Sequence, residues 1–180
     1  MHFTLQYYVN SHIKTLKTKQ STNIDKDFFA RHWDESWIYV KTIVDVVREP
    51  VLILDKNLCV MAANAPFYKT FHVDKNDTEG KVVYELGNGQ WDIPALRELL
   101  EKILSDDTFF NGFEVTHIFP SIGRRVMLLN ARKIHHQNNL KSKYIPPIIL
   151  LAFEDVTQMM HIAELLSKKV TQSGETYKNE

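Results

Sequence analysis

Residues 113–134 read FEVTHIFPSIGRRVMLLNARKI, and the fold turns on this stretch. Phe113, Val115, His117 and Phe119 alternate with Glu114, Thr116 and Ile118, which is the period of a half-buried strand. Pro120-Ser121-Ile122-Gly123 is a turn signal, and Arg124 to Ile134 supplies a second, longer strand. A polar loop, His135 to Lys143, separates it from a third strand at Ile148–Glu154. The last third of the chain therefore predicts three consecutive strands that pair with their neighbours.

Working back from there, Val51-Leu52-Ile53-Leu54 is a short apolar run, Asp55-Lys56-Asn57 a turn, and Leu58 to Ala62 a second strand, together a hairpin. Asn64 is placed to cap a helix, with Pro66 in its first turn and Phe67 and Phe71 on one face. Residues 74–91 read as loop with one short helical turn near Val82–Tyr84. Asp92-Ile93-Pro94 opens a helix whose stripe is Ile93, Leu96, Leu100 and Ile103 and which ends at Asp106-Asp107. Helices flank this block on both sides. Trp33, Trp37, Val40, Val44 and Val47 form one stripe that stops at Glu49-Pro50, and Val156, Met159, Ala163, Leu166 and Val170 form another that begins at Asp155-Val156-Thr157. Two locally paired strands followed by three more predict an α+β domain, an antiparallel five-stranded sheet with helices gathered on one face.

Composition narrows the function. Lys+Arg and Asp+Glu are both 22 in 180 residues, so the chain has no bulk basicity for nucleic acid. A 44% apolar and 24% charged composition is that of a folded domain. Cys59 is the single cysteine, so no internal disulfide can form. The longest apolar run, Ile148 to Phe153, is far below the roughly 20 residues a bilayer needs. The N-terminus has no secretory pattern, and the expectation is a cytoplasmic protein with neither membrane nor nucleic-acid partners.

Several stretches resemble PAS domains, in particular the modules found ahead of histidine kinases in bacterial two-component sensors. They are Arg48-Glu-Pro-Val-Leu-Ile-Leu-Asp55, Ala63-Asn64 with Phe67-Tyr68, Tyr84-Glu-Leu-Gly-Asn-Gly-Gln-Trp-Asp-Ile-Pro94, Gly123-Arg124-Arg125 with Met127–Arg132, and Glu154-Asp155-Val156-Thr157. The resemblance covers about residues 35–160. It implies a curved sheet in the order 2-1-5-4-3, a small cavity between sheet and helices, and a non-enzymatic sensing or dimerising role in signal transduction. The expected division is an N-terminal extension at 1–32, a flanking dimerisation helix at 33–48, the PAS domain at 49–157, and an exit helix and tail at 158–180. Too few residues follow the fifth strand for a kinase core, so the resemblance fits a free-standing module or the sensor part of a longer protein.

The resemblance also directs attention to particular residues. Haem-binding members take a histidine from the long helix or its approach, and Asp92–Leu104 has none. Flavin-adduct members need a cysteine near residues 86–92, and none is there. Phe153 stands where flavin-type members carry a hydrogen-bonding residue, so no haem or flavin is expected. The adjacent pair His135-His136 would point its rings apart in extended backbone, and no zinc spacing is present. No nucleophile elbow or phosphate loop is recognisable; Gly87-Asn88-Gly89 is the only close glycine pair. The candidate ligand contacts are Asn130 and Phe153 with Tyr68, Tyr84, Glu114 and His117, set against a filled core in which Asn130 merely caps a bulge. Trp91 is either a lid or a core anchor, and Cys59 is expected in the core. Arg124-Arg125 is either solvated or a contact for a partner or anion. Asp155 and Thr157 are the candidates for coupling the sheet to the exit helix. A homodimer through Trp33, Trp37, Val40, Val44 and Val47, with a histidine kinase or similar signalling protein as partner, completes the expectation. The alternatives are a small cavity enzyme or carrier, for which Glu114 and His117 are the only acid–base suspects, and a structural adaptor.

Overall fold

The computed structural model describes residues 33–106, 109–134 and 146–176, with side chains placed as far as residue 169. The chain divides into two compact units. Of the first, the described part is residues 33–43, most of a helix that runs over 33–46 (α1), and Pro146. The expected extension at 1–32 and the pair His135-His136 lie outside the described residues.

The second unit begins at Val44 and carries the sheet. Its elements are β1 (Val51–Leu54), β2 (Val60–Ala63), α2 (Ala65–Phe71), α3 (Lys75–Thr78), a 3-10 turn at Val83–Glu85, α4 (Pro94–Asp106), β3 (Phe109–Phe119), β4 (Gly123–Ile134), β5 (Ile148–Asp155) and α5 (Thr157–Thr176). The strands lie in the order β2-β1-β5-β4-β3, and every pairing is antiparallel. The two local hairpins are thus joined through β5, which pairs Leu52 with Leu151 on one side and Asn130 with Ala152 on the other.

Alternation decides which side chains enter the core. From β3 come Val115 and Phe119, from β4 Met127, Leu129 and Ala131, and from β5 Ile149, Leu151 and Phe153. Against them pack Phe67 and Phe71 of α2 and the stripe Leu96, Leu100 and Ile103 of α4. β1 is buried on both sides, because Val51 and Ile53 are as inaccessible as Leu52 and Leu54.

Two local readings change. The stretch 74–91 contains a one-turn helix, α3, which Asp74 caps by accepting a hydrogen bond from the Asp77 N–H at 3.0 Å. β2 starts later than the apolar run suggests. Asp55 Oδ1 accepts from both the Asn57 and the Cys59 N–H, which holds residues 55–59 in a turn. Cys59 is half-buried, bridging only to Val82, and is not a core residue. Burial, then the negative charge of Asp55, raises its thiol pKa.

Candidate functional site

Three places in the second unit gather the residues singled out above: the aromatic interior, the buried junction at Asn64, and the start of α5.

In the interior, Trp91 is 1% exposed. Its ring meets Phe153 at 4.8 Å, Phe119 at 5.0 Å and Phe71 at 5.4 Å between centroids, so it anchors its loop in the core. Phe67 completes the group, 4.8 Å from Phe71 and 5.6 Å from Phe153. Such tilted and edge-on pairs are the favourable arrangements for rings. Phe153 therefore lies at the centre of the space where the resemblance implies a cavity. Two polar atoms are buried here with no hydrogen-bond partner among the described residues, the Tyr84 hydroxyl and the Trp91 indole Nε1.

Tyr84 is buried, with the Arg97 guanidinium 4.0 Å above its ring centroid. Arg97 Nε in turn donates to Asp92 Oδ1 at 2.6 Å, and this bond holds the Asp92 carboxyl below the usual range. Burial, aided by the charge of Glu101, pushes the Tyr84 phenol up to about 12. The Tyr68 hydroxyl points elsewhere and donates to Glu79 Oε1 at 2.9 Å. Its pKa is raised, chiefly by burial and then by that bond.

Strand parity separates the remaining candidates. His117 lies on the core side of β3, half-buried with its ring 5.1 Å from Phe119. Glu114 is exposed on the opposite side, where it accepts from Thr116 Oγ1 at 3.3 Å. Asn130 also falls on the side of β4 opposite Leu129 and Ala131. Its Oδ1 accepts from the Gly112 N–H at 2.7 Å. That contact caps the irregularity in the β3–β4 register between Phe110 and Phe113, where Gly112 has φ of 67°. Asn130 and Glu114 are therefore corrected from pocket residues to outward-facing ones, and the two acid–base suspects, Glu114 and His117, face opposite sides of the sheet as their parity requires.

Asn64 is wholly buried and does more than cap. Its Oδ1 accepts from the Phe67 N–H at 3.1 Å, as expected, and from the Val51 N–H at 2.9 Å. Its Nδ2 donates toward the carbonyls of Val44, Val47 and Glu49 at 3.3, 3.2 and 2.9 Å. One side chain thus ties the start of β1 and the first turn of α2 to the segment leaving α1. The capping position signals the acceptor role; nothing local signals the donor role, because its partners lie 15 to 20 residues away.

At the other end, Asp155 Oδ1 accepts from the Thr157 N–H at 3.0 Å, while Oδ2 faces Arg125 Nε at 3.3 Å. Thr157 Oγ1 accepts from the Val126 N–H at 2.9 Å, and the Val126 carbonyl accepts from the Val156 N–H at 2.9 Å. The first turn of α5 is thereby clasped to β4. Beyond it, every side chain from Gln158 to Lys169 is exposed.

Of the stripe expected at a dimer face, one member lies in the interior. Val44 is 4% exposed and so is interior rather than available to a partner. Trp33, Trp37, Val40 and Val47 are half-buried, with Trp33 and Trp37 stacked at 6.3 Å. The bare apolar residues of α1 are Ile38, Tyr39, Ile43 and Val46, at 63% to 76% exposure. Among the described residues no three His, Cys, Asp or Glu side chains gather as a metal site, and no helix is long and apolar enough to cross a membrane.

No family model and no curated protein matches the sequence. Solved structures do match. The PAS domain of Bordetella pertussis BvgS aligns at a TM-score of 0.51 with 20% identity, over 78% of this chain and 98% of that one. This is a PAS fold. A Rhodobacter sphaeroides LOV protein aligns at 0.55 with 14% identity, over 68% of each chain. The phage VqmA–DPO complex aligns at 0.57 with 14% identity, over 78% of this chain and 62% of that one. The PAS fold puts the aromatic group between sheet and helices, and puts α5 directly after the last strand.

Proposed function

We propose that this PAS-fold chain is a non-enzymatic sensory module of the cytoplasm that works as a homodimer and relays a change in its sheet through α5 to a signalling partner. The observation that carries the reading is the state of α5. Its first turn is clasped to β4, yet Met159, Ile162, Leu165 and Leu166 beyond it are bare. Helices in water draw most of their stability from packing an apolar face, and bare rows of this kind mark interaction surfaces. A second copy presents the same row, and symmetric pairs are the commonest assembly. A lever fixed at one end and paired along the rest is suited to passing a small movement onward. The sequence resemblance points to a histidine kinase or a similar signalling protein as the recipient.

Sedimentation equilibrium tests this. The parent is expected to be a dimer at high micromolar concentration, and Ile162→Glu with Leu166→Glu a folded monomer by circular dichroism. A monomeric parent contradicts the reading.

Ligand binding in the core is a second reading, and one observation favours it. The Tyr84 hydroxyl and the Trp91 indole N–H are buried without partners, a situation costing about 1–3 kcal/mol for each group. A small polar molecule within reach of either atom would satisfy it. Native mass spectrometry of protein purified without added ligand separates the readings. A stoichiometric extra mass that Tyr84→Phe removes supports the ligand, and a bare chain supports the ring-filled core.

A further inference from the structure

Outside the aromatic interior, a concave cleft of about 850 Å³ opens between the segment leaving α1, the helix α2 and the β3–β4 turn. Arg48, Lys69, His72 and Arg125 line it, and Asp155 is the one carboxylate among its described lining residues. Ala65, Pro66 and Ile122 provide an apolar floor. The cations Arg48, Lys69 and Arg125 come from three separate elements. Lys69 also suits the C-terminal dipole of α2, but that accounts for neither Arg48 nor Arg125. Arg48, Lys69 and His72 have no ion-pair partner among the described residues, and Arg125 shares Asp155 at 3.3 Å. The chain as a whole is neutral, so this is a local concentration of positive charge and not a reflection of composition.

We infer that this cleft binds a small organic phosphate, with Arg48, Lys69 and Arg125 as its anion contacts and Asp155 as the internal competitor for Arg125. Guanidinium groups match phosphate oxygens in paired, charge-assisted hydrogen bonds. The volume lies in the range of small-molecule sites, and the apolar floor accommodates the organic part. Asp155 belongs to the clasp of α5, so a phosphate drawing Arg125 away takes one of its two partners. That consequence rests on the proposed relay; the binding itself does not.

The test is calorimetric titration of the full chain with adenosine monophosphate at physiological ionic strength, with inorganic phosphate as the arm lacking the organic part. Saturable binding is expected for the parent, weaker for inorganic phosphate. Arg48→Ala with Lys69→Ala, both exposed positions, is expected to lose affinity at least about tenfold. Asp155→Asn, which frees Arg125, is expected to tighten binding. No saturable binding, equal affinity in the double variant, or weaker binding in Asp155→Asn overturns the inference. Each of these is read from the isotherm alone, so failure of the site is distinct from failure of the dimeric relay, which sedimentation reads.

Discussion

Removing the Asn64 side chain takes a partner from the Val51 N–H and from the carbonyls of Val47 and Glu49, while the Val44 carbonyl still accepts from the Val47 N–H at 3.2 Å. A missing cap alone costs about 1 kcal/mol. Here the buried Val51 N–H and two part-buried carbonyls lose a partner together, and Asn64→Ala is expected to cost about 2–4 kcal/mol in urea unfolding. Asn64→Asp keeps the acceptor but turns a carboxylate oxygen toward the carbonyls of Val47 and Glu49, and should be no better than alanine. A loss within error of a simple cap would mean the contacts to the α1 exit contribute nothing. Tyr84 and Tyr68 give a pH signature. Both phenols hold their protons more tightly folded than at the ordinary value of 10, Tyr84 up to about 12. Below pH 10 both are neutral folded or unfolded, and stability falls as pH rises from there toward 12, because the unfolded chain gives up these protons first. Urea midpoints followed across that range should fall, and Tyr84→Phe should flatten part of the fall. At this scale the sequence was most legible where partners are neighbours, as in Asn64 capping Phe67. It was least legible for Asn130, whose side depends on the parity of a strand carrying an irregular register, and for Cys59, drawn into a turn by Asp55.

Whole elements were easier to read than single side chains. The hairpin at Val51–Ala63, the α4 stripe and the three terminal strands each repeat their period several times, and one discordant residue does not erase the pattern. α3 escaped because a single turn has no period; its only mark is Asp74 placed three residues before Asp77. The stripe of α1 keeps its helical spacing, but Val44 is buried and so is not open to a copy, since a heptad-like row does not say which of its members are covered. α5 is the reverse case, with a row that its own sheet leaves bare. Its clasp makes a prediction at this scale. Thr157→Val deletes the acceptor for the Val126 N–H while keeping the shape, and Asp155→Ala deletes the acceptor for the Thr157 N–H. Hydrogen exchange should speed up over residues 157–162 in both, with the core strands unchanged. Unchanged protection in α5 would show that the clasp does not order it.

For the whole molecule, the proposed assembly is argued from the apolar residues left exposed. Tyr39, Ile43 and Val46 sit four and three residues apart on α1, and Met159, Ile162 and Leu166 three and four apart on α5. Ile43→Glu should weaken self-association without unfolding, whereas Val44→Glu places a charge at a 4% exposed site and should unfold the protein. Comparing the two by sedimentation and circular dichroism separates interface from interior. The cleft at Arg48, Lys69 and Arg125 could not be read from the chain, because it depends on how distant elements meet. In the proposed dimer, α5 is ordered by pairing between copies. The direct measurement is hydrogen exchange along residues 158–169 as a function of protein concentration. Protection of these amides is predicted to rise with concentration in step with dimer formation and to stay low in the Ile162→Glu, Leu166→Glu variant. Protection that is the same at every concentration and in the variant would contradict it.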